Sequence, residues 1–248
     1  MKQIILAAGY ATRLYPLTEN TPKPLLLVGG VPMLEHVLGS SETIGHIDRT
    51  LVVTNNKFAG HFQEWLTSYQ EAHPDFNGAI INDGTTSNED RLGAIGDLQL
   101  VLEQESIDDD VLVIAGDNLF TGDLRGFGAR CHETNAPVIG LYDVGAKDEA
   151  RKYGVVAVGD DGRLTSFEEK PAEPKSTLIG IALYYYPRAT LQEISRYIKE
   201  GNNPDQPGRL IQWLYPQQPV YTWTVPGDWL DIGSKETLEA ANILFAAR

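Results

Sequence analysis

The chain opens on a run in which nearly every position is apolar, and the same pattern recurs. Residues 4–7, 50–54, 79–81, 111–115 and 138–142 are short, almost continuous apolar runs, as expected of strands covered on both faces. Between them, apolar residues return at helical spacing. Met33, Leu34, Val37 and Leu38 form one stripe, Phe62, Trp65, Leu66 and Tyr69 a second, and Ile95, Leu98, Val101 and Leu102 a third. Strands alternating with helices predict a mostly parallel sheet. The second half changes texture: 154–158, 163–167 and 178–186 read as strands separated by turns, with "GDDG" at 159–162 as a hairpin turn. Helical spacing returns at 191–198 and at 234–245, where Ser234 is placed to cap. No linker or low-complexity segment interrupts the pattern. The expectation is one α/β domain over residues 1–248: three layers (α/β/α) on a mixed, mostly parallel central sheet, with a small antiparallel insertion later in the chain.

Composition narrows the partners. A net charge of −14 repels nucleic acid and anionic membrane, so neither is expected as a partner. No stretch nears the roughly 18 apolar residues of a membrane span, and the first residues lack a basic segment followed by a long apolar run. Cys131 is the single cysteine, which excludes a disulfide within these residues and fits a reducing cytoplasm. It has no evident local partner that would make it a nucleophile. His36, His46, His61, His73 and His132 show no metal-ligand spacing and read as surface or packing residues.

The stretch after the first strand, "LAAGYATRLYPLTENTPKPLL" from Leu6 to Leu26, carries the first candidate chemistry. In open α/β sheets, ligands bind beyond the carboxyl ends of the strands. Leu6, Ala7, Ala8 and Gly9 sit at that edge, and small side chains there let backbone N–H groups approach phosphate oxygens. Arg13 offers a planar fork and Lys23 a point charge, stiffened by Pro22 and Pro24. Spacing alone leaves two readings: a phosphate grip, or a connecting loop with two solvated cations. The stretch is neither a Walker A loop nor G-x-G-x-x-G, because no Gly-Lys-Ser/Thr follows and Ala11 stands where a second glycine would be.

Four further segments stand out. "VLVIAGDNLF" puts Asp117 past a buried strand at the same edge, and "GDWLDIGS" puts Asp231 before the last helix. Two carboxylates brought together suit a magnesium ion shared with phosphates, although each is equally at home in a turn. Asp123, Asp228 and 108–110 read as turn or solvated-loop acids. "YGVVAVGDDGRLTSFEEKP" ends a strand on Glu169 and Lys170, whose side chains alternate faces in regular geometry. A charged strand edge that deters aggregation explains the same residues. "EDRLGAIGDLQLV" opens a helix on Gly93 and Gly96, which leaves room for a flat ring or simply starts a helix.

Together, in this order, these segments resemble the sugar-phosphate nucleotidyltransferases, or nucleotide-sugar pyrophosphorylases, whose usual signature is L-A-[AG]-G-x-G-T-R-L-x-P-L-T followed by P-K-[PQ]-[LM]-[LV]. The pairing of the opening motif with "YGVV…FEEKP" looks most like the glucose-1-phosphate thymidylyltransferase branch. The resemblance implies a Rossmann-like nucleotidyltransferase fold, with residues of about 1–125 binding nucleotide and about 126–248 binding sugar phosphate. It implies that Leu6, Ala7, Ala8, Gly9, Arg13 and Gly93 meet the nucleotide and that Arg13, Lys23 and Asp117 carry catalysis. Asp117 and Asp231 would hold Mg2+, and Gly154, Glu169, Lys170 and Gly180 would bind the sugar phosphate. The implied substrates are a nucleoside triphosphate, dTTP or UTP, and glucose 1-phosphate. A homo-oligomer is compatible with it.

This sequence departs from the signature at Ala11, at Leu27, at Asp97 where a small apolar residue is usual, and in the longer "GTTSNED" before the glycine helix. No hexapeptide repeat occurs in the sequence, which disfavours the acetyltransferase-linked and ADP-glucose types. Two alternatives share the motifs. A phosphocholine cytidylyltransferase would need an aromatic cage, for which Trp213, Trp223 and Trp229 are available. A non-catalytic nucleotide sensor would not need the whole catalytic set.

Overall fold

A computed structural model describes residues 1–246 of the chain. The strand that precedes the opening motif, β1 (Lys2–Leu6), lies at the centre of a nine-stranded sheet. Two further strands, β4 (Arg49–Thr54) and β6 (Val111–Ala115), flank it in parallel, with Ile4 beside Leu51 and Val113, and Ile5 beside Val52 and Ile114. Another parallel strand, β5 (Gly78–Asn82), extends the sheet beyond β4. Successive residues of β1 face opposite ways, so Ile4 and Ile5 enter two different cores, both fully buried.

The antiparallel strands expected as an insertion join this same sheet. Past β6 runs β11 (Leu178–Tyr186), antiparallel, followed by β9 (Gly154–Val158) and β10 (Leu164–Glu169). The turn at Gly159–Gly162 closes the β9–β10 hairpin, with Gly162 N–H donating to the Gly159 carbonyl at 2.9 Å. A further strand, β8 (Val138–Asp143), also pairs with β11 and carries β12 (Tyr221–Thr224) in parallel. Two small antiparallel pairs lie apart from it: β2 (Leu27–Val28) with β3 (Val31–Pro32), and β7 (Asn118–Phe120) with β13 (Trp229–Asp231).

The helices divide between the faces according to their apolar stripes. One core holds Leu34 of α1 (Met33–Glu42), Phe62 of α2 (Ala59–Ala72), Phe127 of α4 (Arg125–Thr134) and Ala241 of α8 (Lys235–Ala246). The other holds Ile95 and Leu98 of α3 (Ala94–Gln104), Ile194 of α6 (Leu191–Lys199) and Ile211 of α7 (Pro207–Leu214). A single turn, α5 (Lys147–Ala150), precedes β9. Ser234 caps α8 as expected, its hydroxyl accepting from Thr237 N–H at 3.3 Å. That last helix folds back onto the β2–β3 hairpin, where Gly29 N–H donates to Asn242 Oδ1 at 3.0 Å and a Cβ added to Gly29 would stand 3.0 Å from the Phe245 backbone. Tyr184–Tyr186 belong to the core as expected. The acids at 108–110 are more than a solvated loop: Asp110 accepts from Tyr185 O–H at 2.6 Å and from Arg188 N–H at 2.9 Å, fixing β11 to the start of β6.

Candidate active site

A cleft of about 500 Å³ opens at the carboxyl ends of β1 and β6, a size suited to a small-molecule ligand. The loop after β1 forms its floor. Tyr10 anchors this loop to the segment after β5 through a 3.2 Å bond with Thr85, and Thr18 O–H donates to the Ala11 carbonyl at 2.8 Å. Ala11 holds φ 49° and ψ 38°, the left-handed conformation, so the usual glycine at this point of the signature reflects a real backbone demand that alanine meets at a cost. The next residues turn into a short 3-10 helix that leaves the Arg13 guanidinium exposed beside Gly233. Among the described residues Arg13 has no hydrogen bond or ion pair, so its five donors are available to a ligand.

Lys23 sits in a second 3-10 turn, Lys23–Leu25, fixed by Pro22 before it and Pro24 within it. Its ammonium donates to Asp117 Oδ2 and, at 2.9 Å, to the Ile232 carbonyl. Three distant parts of the chain thus converge on one cation. Asp117 follows β6 and accepts from Asn118 at 3.1 Å, and Asn118 in turn accepts from Trp229 Nε1 at 2.9 Å. Asp231 ends β13, the partner of β7. Burial, and then the neighbouring Asp117 carboxylate, push Asp231 up to about 6, against the opposing pull of Lys23 and Arg13. Tyr153 shares a hydrogen bond with Asp231. Two crowded carboxylates, one of them hard to ionise, are the donor set that a small dication would relieve. No group of three or more His, Cys, Asp or Glu side chains placed to hold a metal ion occurs among the described residues.

The cleft's other wall comes from the far face of the sheet. Gly93, Ala94 and Asp97 of the α3 start line it, with Asn88 and Arg91 from the loop before. Gly93 has φ 81° and lies so close to Pro204 and Asp205 that an added Cβ would stand 2.7 Å from them. Asp90 accepts from both backbone and hydroxyl groups of Thr86 and Ser87, and these bonds hold its carboxyl down to about 2.

The structure gathers most of the expected residues and separates some. Leu6, Ala7, Ala8, Gly9, Arg13, Lys23, Gly93, Asp117, Lys170 and Asp231 all line the one cleft. Lys170 reaches it because its backbone leaves the strand at φ 48°, which breaks the alternation expected of Glu169 and Lys170. Glu169 is half-buried against Gly208, and burial raises its carboxyl while Lys170 and Arg209 lower it. Gly154 and Gly180 face each other across β9 and β11 and do not line the cleft; the ring of Phe167 lies over both. The three tryptophans do not form a cage. Trp213 packs on Tyr197 and Arg196, Trp223 on Phe127, and Trp229 alone lines the cleft, edge-on to Tyr153. Asp123 and Asp228 serve local turns, binding Arg125 and Thr121. Tyr153 and Asn118 support the site although sequence reasoning assigned them nothing, and Trp229, considered there only for a cage, supports it through Asn118; all three lie inside the quoted motifs.

Comparison with known proteins identifies the family. The Nucleotidyl transferase family model matches residues 2–247. The chain belongs to the nucleotidyl transferase family. Among its relatives is the UTP–glucose-1-phosphate uridylyltransferase AglF of Haloferax volcanii, 31% identical over 186 residues, covering 75% of this chain and 72% of that one. The bifunctional protein GlmU of Methanocaldococcus jannaschii is 28% identical over 245 residues, 98% of this chain but 53% of its own length. This nucleotidyl transferase chain therefore spans about half of that bifunctional relative. A Bacillus anthracis structure assigned as a glucose-1-phosphate thymidylyltransferase superposes with a TM-score of 0.85 at 27% identity, covering 100% of this chain and 96% of that one. The mixed sheet flanked by helices is thus the nucleotidyltransferase fold.

Proposed function

We propose that the cleft joins a nucleoside triphosphate to a sugar 1-phosphate, releasing pyrophosphate and a nucleotide sugar. The observation that carries this reading is the convergence of Lys23, Asp117 and the Ile232 carbonyl beside Arg13 and Asp231. A sensor would have no need of an acid pair and a tethered cation at the phosphate end. The activities named for AglF and for the Bacillus anthracis structure belong to the same reaction class.

The chemistry follows from charge. A sugar-phosphate oxygen attacks the α-phosphorus in line as pyrophosphate departs, so two anions must be brought together and their repulsion offset. Arg13, with no competing partner, holds the departing phosphates, and Lys23 stabilises charge at the α-phosphate. Lys170, on the cleft wall, anchors the incoming phosphate. Asp117 and Asp231 would hold magnesium, which supplies charge neutralisation across the phosphates. No general base is required, because a phosphate monoester is already ionised near neutral pH. The supporting experiment is pyrophosphate release with magnesium, crossing dTTP, UTP, CTP, GTP and ATP against glucose 1-phosphate, mannose 1-phosphate and N-acetylglucosamine 1-phosphate. One strongly active pair supports the transferase; triphosphate binding without turnover across the grid argues for a sensor.

A further inference from the structure

Asp97 is an anomaly that neither the fold nor the phosphate chemistry explains. It lies one turn into α3, is only 6% exposed, and lines the cleft on the wall opposite the phosphate-binding groups. Its Oδ1 has no protein donor, and neither has Oδ2 of Asp83, the acid beside it at the end of β5. Buried carboxyl oxygens without partners are costly. One proton shared between the two acids satisfies both atoms, and burial followed by the Asp83 charge accordingly pushes Asp97 up to about 8. Asp83 is held in place by accepting from Thr85 N–H at 2.7 Å. With the proton taken up between the two acids, the remaining oxygen of Asp97 is an acceptor on the cleft wall.

The position of that wall identifies what meets it. Arg13, Lys23, Asp117 and Asp231 define the phosphate end, and β7 and β13 pack with the core on that face. Gly93, Ala94 and Asp97, at the start of α3 on the opposite face, form a wall across the cleft from Arg13 that is open to the base of a nucleotide whose phosphates reach Arg13. Resting on the function proposed above, we infer that Asp97 selects the base by accepting a hydrogen bond from a ring N–H. Bases with a protonated ring nitrogen, namely uracil, thymine and guanine, satisfy it. Cytosine and adenine present a lone pair at that ring position and leave two acceptors opposed.

Equilibrium binding of UTP and CTP to the whole chain, with magnesium, tests this in the wild type, Asp97→Ala and Asp97→Asn. The asparagine variant donates its amide to Asp83 and keeps a carbonyl toward the cleft, so it must keep the preference. The wild type and Asp97→Asn are expected to bind UTP about 100-fold more tightly than CTP, as sites built to pair with an N–H discriminate strongly. Asp97→Ala is expected to bring the ratio to within about 5-fold while the triphosphate still binds. Equal binding of UTP and CTP by the wild type, or an unchanged ratio in Asp97→Ala, overturns the assignment and leaves the transferase reading intact. Failure of the wild type to bind dTTP, UTP, CTP, GTP or ATP, all measured in the same assay, overturns both.

Discussion

Replacing Asp97 by asparagine separates the cost of the buried acid from the rest of the fold. In the unfolded chain this carboxyl titrates near its ordinary value of 3.8, whereas burial beside Asp83 holds it at about 8 in the folded protein. The folded state therefore keeps a proton that the unfolded state releases. As pH rises above the unfolded value, unfolding is favoured, and the loss levels off only above the folded value. A gap of about four pH units, at about 1.4 kcal/mol each, sets the full effect at about 5–6 kcal/mol. Between about pH 5 and about pH 8 the share lost is about 3–4 kcal/mol. Asparagine has the same shape, cannot ionise and donates permanently to Asp83, so the variant escapes that loss. Urea unfolding of both proteins at the two pH values measures it, because all other titrating groups are common to the pair. The wild type is expected to lose about 3–4 kcal/mol more than Asp97→Asn over this interval. Parallel stability curves would show that Asp97 and Asp83 share no proton.

Four other outcomes follow from the site and its supports. Asp117→Asn is expected to lower kcat by about two orders of magnitude or more with an unchanged unfolding midpoint, since it removes charge from the acid pair without removing shape; near-normal turnover would remove Asp117 from the phosphate site. Lys170→Ala is expected to raise KM for the sugar phosphate about tenfold or more with little change in KM for the triphosphate, which steady-state kinetics with each substrate varied resolves. Ala11→Gly is expected to raise stability by about 0.5–1 kcal/mol in denaturant titration, because the left-handed conformation of Ala11 suits glycine. Gly154→Ala is expected to cost about 1–3 kcal/mol, since the new Cβ would lie 2.2 Å from the Phe167 ring, and a neutral result would mean that the ring moves freely.

What the sequence disclosed depended on how the information was written. The inner strands were legible because Ile4, Ile5 and their neighbours are apolar on both faces, a pattern nothing else on the surface imitates. The helix α4 was missed, since its sequence "RGFGARCHET" has few apolar positions and two glycines that suggest a loop. Those glycines serve contact instead: Gly128 lies so close to the Ile44 carbonyl that a Cβ would fall 1.7 Å from it. Such an approach is a tertiary property and leaves no periodic trace. Similarly, β13 and β7 are only three residues each, too short for alternation to register. At the cleft, Arg13, Lys23, Asp117 and Asp231 were visible as motifs. The roles of Gly154 and Gly180 in making room for Phe167 were hidden, because a glycine required by a neighbouring ring looks the same in sequence as one that contacts a ligand. Asp97 appeared only as a departure from the usual small residue, and its meaning depends on Asp83, which only folding brings beside it.

The bond from Lys23 to the Ile232 carbonyl joins residues 209 positions apart, and α8, which follows at once, closes over the hairpin just after Lys23. A nascent chain emerging at about 5–20 residues per second therefore exposes its Lys23 loop well before Ile232 and cannot complete this contact until residue 232 has been made. Until then the Lys23 loop lacks both Ile232 and the helix that steadies it. Fragments ending before Asp231 should thus accumulate without activity however well their parallel strands have formed.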